Sequence, residues 1–165
     1  PIIKRGDPDF LTLYLGNYIL GGGGFVSRLT QVIREDRGLA YSVYSYFMPF
    51  LEAGPFQIGI QTKKDQVEEA KKIIQKTVSN FIKNGPTQKE LRRAKDFMIG
   101  GFPLRLDSNK SILEYVSMMA FYKYPLDYLE TFTTRIDRIT AEEIKSAFQR
   151  RVDMSKFSTV IVGSE

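Results

Sequence analysis

The stretch ILGGGGFVSRLTQVIREDRGLAY, Ile19–Tyr41, decides how this chain is read. Four glycines, Gly21–Gly24, separate an apolar helix-like segment from a charged one. A dinucleotide fingerprint needs G-x-G-x-x-G after a strand. Here Gly21 and Gly23 are followed by Val26, and a helix pattern precedes them, so pattern and context both fail. A P-loop ends in Gly-Lys-Ser/Thr, whereas Gly24 is followed by Phe25. Two readings of the run remain: a flexible helix–helix connection, or a turn with close backbone approach.

Upstream, Asp7–Asp9 with Pro8 reads as a helix start. The helix carries Phe10, Leu13, Tyr14 and Asn17, and Gly21 is expected to end it as a C-cap glycine. A short helix is expected from about Val26 to Arg34. From Ala40 the period changes. AYSVYSYFM is rich in Tyr, Val and Phe and reads as a strand. After a turn at Glu52–Gly54, Phe56, Ile58 and Ile60 alternate with polar or small residues, and the two runs form an antiparallel hairpin.

Helices follow. Val67, Ala70, Ile74, Val78 and Phe81 make one stripe, stopped by Gly85-Pro86. Thr87–Glu90 and Thr140–Glu143 are capping boxes. The first opens a helix with Leu91, Ala94, Met98 and Phe102, and the second one with Ile144, Ala147 and Phe148. Between them a helix starts at Asp107 or Ser108, with Ile112, Val116, Met119 and Ala120 expected inward. A short helix near Leu126–Thr133 follows, and FSTVIVG, residues 157–163, reads as a buried strand. The order predicts an α+β fold, a mostly antiparallel sheet with helices packed on one face, in a single domain over residues 1–165.

Composition narrows the chemistry. With no Cys there is no disulfide framework and no thiolate nucleophile. With no His, the commonest general base and the commonest zinc ligand are both missing, so no metal site is expected on this chain. The net charge of +5 is scattered over residues such as Lys63-Lys64, Lys71-Lys72 and Arg92-Arg93, which argues against a nucleic-acid partner. No apolar run is long enough to span a membrane. The chain opens on Pro1 rather than Met, and a piece of a longer protein is expected.

The stretch from the glycine run through SRL at Ser27–Leu29 to REDRGLAY at Arg34–Tyr41 resembles the C-terminal, zinc-free domain of the M16 metallopeptidases. That is the family of pitrilysin, insulin-degrading enzyme and the mitochondrial processing peptidase. DPDFLTLYLGNYILGG, GPFQIGIQT, NGPTQKELRRAKDFMIGGF and RITAEEIKSAFQRRVD resemble further segments of that domain, so the likeness covers nearly the whole chain.

The resemblance implies an M16/LuxS-like fold that lacks its first strand, because Pro1–Lys4 keeps at most the end of the segment that precedes RGDPD in the family. An isolated chain is then expected to self-associate through the open edge or to leave that edge poorly ordered. The resemblance also implies that this half is inactive alone, that zinc belongs to a partner half bearing H-x-x-E-H, and that the two halves enclose a peptide substrate. Arg34 and Tyr41 match a family pair, seven positions apart, that reaches the substrate beside the metal. Gly21, Gly22, Gly23, Gly24, Ser27 and Arg28 are expected to border the peptide. Read from the residues alone, Arg34 pairs with Glu35 or caps a helix, and Tyr41 packs in its strand. A non-catalytic assembly subunit is the other function the family offers, and a bacterial envelope location follows by family analogy.

Overall fold

The computed structural model describes residues 1–163. Helix α1, Phe10–Asn17, is apolar almost all round, and such a helix belongs in the middle of a domain. Leu11, Leu13, Leu15 and Gly16 are buried. Gly16 lets α6, Ala141–Arg151, lie directly against it: a Cβ there would stand 2.6 Å from the Phe148 ring and 2.7 Å from Ile144 Cγ2. The same two helices are tied by charge. Asp7 and Asp9, at the positive start of α1, accept from Arg150 and Arg151, at the negative end of α6, at 2.8–2.9 Å.

Gly21 does not cap α1. The chain keeps coiling through a wider π turn, Tyr18–Gly22, with Gly21 buried inside it. The reason is packing. A Cβ at Gly21 would run into Ser45 Oγ and come within 2.8 Å of Ser45 N and Leu29 Cδ1. Asn17 and Ser45 lock the contact: Asn17 Nδ2 donates to the Ser45 carbonyl at 3.0 Å, and Ser45 Oγ donates to Asn17 Oδ1 at 2.7 Å. We therefore expect Gly21→Ala to cost about 1–3 kcal/mol by overpacking. Urea unfolding checks this, and an unchanged midpoint would count against the packing role.

The hairpin comprises β1, Ser42–Phe47, and β2, Phe56–Gln61, antiparallel with Ser42 opposite Gln61 and Phe47 opposite Phe56. Val43, Ser45 and Phe47 face the helices, while Tyr44 and Tyr46 face solvent. One side of β1 is satisfied by helix side chains, since Thr30 Oγ1 donates to the Val43 carbonyl as Asn17 does to that of Ser45. Among the described residues, no strand pairs with the far edge of β2; only an isolated bridge joins Ile3 to Gly54.

Helices α2, Val67–Asn84, and α3, Gln88–Gly100, are separated by Gly85-Pro86, and both expected capping boxes form. Helix α5 runs from Tyr128 to Arg138, later and longer than expected.

Two further expectations fail. On α4, Asn109–Tyr122, only Met119 is buried; Ile112, Val116 and Ala120 are exposed. An apolar helix has several possible stripes, and packing against distant elements chose another. The C-terminal FSTVIVG is not a strand. Phe157 sits edge-on to Phe56 at 6.1 Å, but Val160 and Val162 are 84% and 92% exposed. A buried-type strand needs a neighbour to take its backbone hydrogen bonds, and among the described residues it has none.

Candidate functional site

The site is built around the end of the glycine run. Gly24 has φ +60°, a left-handed conformation that glycine adopts without the usual Cβ penalty. It opens a short 3-10 turn, Gly24–Val26, that lifts Phe25 to the surface, where it is 66% exposed. The chain then enters a helical segment that widens into a second π turn, Thr30–Glu35. Arg34 lies in its last turn, and its guanidinium lies over the Phe25 ring at 4.7 Å. Gly38, at φ +62°, turns the chain toward β1, and Tyr41 arrives on the other side, 6.0 Å from the same guanidinium.

Arg34 and Tyr41 are thus together, with Phe25 beside them. Tyr41 is 80% exposed, so the reading that it packs in its strand fails. Arg34 does face Glu35, at 3.6 Å, as the alternative reading held. Both side chains of that pair are well exposed, and exposed pairs of this kind are weak. Two aromatic rings help hold the Arg34 guanidinium in place, cation–π contacts at such sites being worth about 0.5–1 kcal/mol each. Phe25 is the residue that reading by motif missed. A large aromatic directly after a glycine run was the available signal.

The six other expected contacts divide. Gly22 and Gly24 are exposed and Gly23 half-buried, so this backbone borders open space beside Phe25. Gly21, Ser27 and Arg28 are turned into the fold instead. Ser27 is fully buried; its Oγ lies 2.7 Å from the Gly24 carbonyl, to which it donates, and 3.0 Å from Thr30 Oγ1. Arg28 reaches away from the site. It clasps Glu90 through two nitrogens at 2.5 and 2.7 Å, donates to the Gly85 carbonyl at 3.1 Å, and lies over the Phe81 ring at 5.0 Å.

That clasp has a pH signature. Burial alone would push the Glu90 carboxyl up, but hydrogen bonds from Arg28 and Thr87 outweigh it and hold it at about 2. A carboxylate depressed in the folded state stabilises above its unfolded pKa and loses that contribution as pH falls through the folded value. Between about pH 4.5 and 2 the chain should lose about 2–3 kcal/mol from this group. Glu90→Gln should flatten that part of the acid limb; an acid limb identical to the parent's would refute the assignment.

Among the described residues, no group of three or more His, Cys, Asp or Glu is placed to hold a metal ion, and the chain has no His or Cys at all. The residues present do not fit a zinc site. No helix among them is long and apolar enough to cross a membrane.

Comparison with known proteins agrees with this architecture. Residues 1–98 match the model of the peptidase M16 inactive domain. The chain is 33% identical over 145 residues to the non-peptidase homolog YmxG of Helicobacter pylori, covering 87% of this chain and 33% of that protein. It is 41% identical over 109 residues to the uncharacterized zinc protease YmxG of Bacillus subtilis, covering 66% and 26%. The crystal structure of a peptidase M16 inactive domain from Pseudomonas fluorescens superposes with a TM-score of 0.87 at 43% identity, covering 92% of this chain and 36% of that one. The chain therefore spans about a third or less of the length of the curated relatives it matches.

Proposed function

We propose that this chain, which belongs to the M16 peptidase family as its inactive domain, serves as the zinc-free half of a zinc endopeptidase and forms one wall of its peptide chamber. In this reading residues 1–165 are one domain of a longer enzyme or complex. The zinc, its H-x-x-E-H ligands and the general base come from a partner half, on the same polypeptide or a separate subunit. A bacterial envelope location belongs to the same proposal and rests on the family likeness.

The observation that carries the reading is the presentation of Arg34. Its guanidinium is half-buried, lies against Phe25 and Tyr41, and faces one loosely paired carboxylate. When water attacks a peptide carbonyl, negative charge builds on the carbonyl oxygen. A pre-placed guanidinium and phenol can donate to that oxygen, and they stabilise the transition state more than the neutral amide. The glycine backbone of residues 22–24 leaves room for a chain to pass close by. The test is reconstitution with the H-x-x-E-H half, comparing the parent with Arg34→Ala and Tyr41→Phe; normal turnover in both variants removes the role.

A second reading, an assembly subunit without catalytic contribution, draws on the Helicobacter pylori relative described as a non-peptidase homolog and on the exposed apolar residues Ile112, Leu113 and Val116 of α4. The open edge of β2 bears on self-association. The chain on its own should associate at high concentration through β2, and a monodisperse monomer in sedimentation would argue against it.

A further inference from the structure

Two hollows meet beside the glycine run. One, of about 490 Å³, is walled by Gly22–Gly24, Phe25 and Phe97. The other, of about 430 Å³, lies between α1, the hairpin and α4, and is mostly apolar, with Phe10, Leu13, Phe47, Met118 and Phe132 on its wall. Tyr14 and Arg105 line both, so the two hollows adjoin with Arg105 between them. Phe25, on the wall of the first hollow, also carries the Arg34 guanidinium over its ring.

Arg105 sits on a short 3-10 turn, Pro103–Leu106, beside the Tyr14 and Tyr115 side chains. None of the ion pairs among the described residues includes Arg105. Arg5 also lines the apolar hollow; its guanidinium lies over Phe10 and Tyr122, its Nε is buried without a hydrogen-bond partner, and it too belongs to no ion pair among them. Glu114 is the one carboxylate on that wall. The two hollows together therefore offer apolar volume and two guanidiniums against a single acid.

We propose that these adjoining hollows bind an extended peptide segment, seating a large apolar side chain in the hollow between α1 and α4 and an acidic side chain on Arg105. This rests on the reading of the chain as a wall of a peptide chamber. Charge complementarity selects the acid: a guanidinium that belongs to no ion pair among the described residues is a ready donor to a carboxylate. The glycine run selects a polypeptide rather than a compact ligand, because Gly22 and Gly24 leave exposed backbone along the hollow beside Phe25.

The test is fluorescence anisotropy with short, C-terminally amidated, labelled peptides carrying one Leu and one Glu, compared with versions carrying Gln for Glu or Ala for Leu. The 165-residue chain should bind the parent peptide about threefold to fivefold more tightly than the Gln version, the range of a partly exposed ion pair. It should also bind it more tightly than the Ala version. Arg105→Gln should abolish the Glu preference, Arg105→Lys should keep most of it, and Lys72→Gln, an exposed residue outside both hollows, should leave it unchanged. Thermal melts verify that each variant is folded. No binding, equal affinity for Glu and Gln peptides, or a preference that survives Arg105→Gln would overturn the proposal. The chamber reading fails separately: if Arg34→Ala leaves cleavage by the reconstituted enzyme unchanged, the transition-state role is lost while the Arg105 preference stands or falls on binding alone.

Discussion

Replacing Arg34 with alanine is expected to lower turnover of the reconstituted peptidase about 10²–10³-fold, the usual effect of deleting one donor to a developing oxyanion. The side chain contributes little to the fold. It is only half-buried, and its pairing with Glu35 at 3.6 Å belongs to the class worth about 0–1 kcal/mol. Melting temperature and rate should therefore separate, with the rate collapsing and the melt barely moving. The loss should appear equally in kcat and kcat/KM, because the interaction tightens only as charge develops. Arg34→Lys should recover part of the rate, since a lysine restores the charge but not the planar fork that lies over Phe25. Tyr41→Phe removes a neutral donor and should cost less than Arg34→Ala. Phe25→Ala acts through Arg34: it frees the guanidinium, and rescue by Phe25→Tyr would distinguish orientation of Arg34 from simple loop loosening. Rates within twofold of the parent for both Arg34→Ala and Tyr41→Phe would leave the assembly reading as the better one.

Phe148→Ala is expected to be the most damaging single substitution in the core. Phe148 is fully buried on α6, edge-on to Phe81 at 4.9 Å and to Phe47 at 5.9 Å, and pressed against Gly16 of α1. It thus joins α6, α2, β1 and α1. Truncating such a ring costs about 3–5 kcal/mol, from lost burial plus the cavity left behind. Domains of this size have about 5–15 kcal/mol in total, so the variant should be partly unfolded at physiological temperature. A fall in the urea midpoint at unchanged slope would establish this as a stability effect. A loss below about 1 kcal/mol would mean that the helices collapse onto the vacated space, which the tight seating of Gly16 argues against. Because α1 leads into the π turn that carries the glycine run, the same change should loosen the geometry around Phe25 and Arg34.

Much of this was legible in the chain. The alternation of Phe56, Ile58 and Ile60 specified β2, and the aromatic run before it specified β1. Thr87–Glu90 and Thr140–Glu143 formed both capping boxes, with all four reciprocal bonds made inside a few residues. The absence of His and Cys ruled out the usual zinc ligands on this chain before any coordinate was known. The resemblance names Arg34 and Tyr41, and the fold brings the Arg34 guanidinium to 6.0 Å from the Tyr41 ring; their role at the substrate is what we propose.

What the tertiary structure alone decided has a common character. Gly21 was given a capping role and instead occupies a buried contact with Ser45, a residue of another element. Arg28 looked like a site residue and is claimed by Glu90, sixty-two positions away. Phe25 acquired its place because Gly24 turns its ring onto Arg34. Ile112 and Val116 lie outward, and 157–163 stays unpaired, because no described element covers them. Capping boxes and strand alternation are legible in sequence because their bonds or their period involve neighbours along the chain, whose spacing the covalent backbone sets. Which face is buried, which cation is spent on the fold and which remains for a ligand depend on groups brought together only by packing, and the linear order carries no measure of that distance.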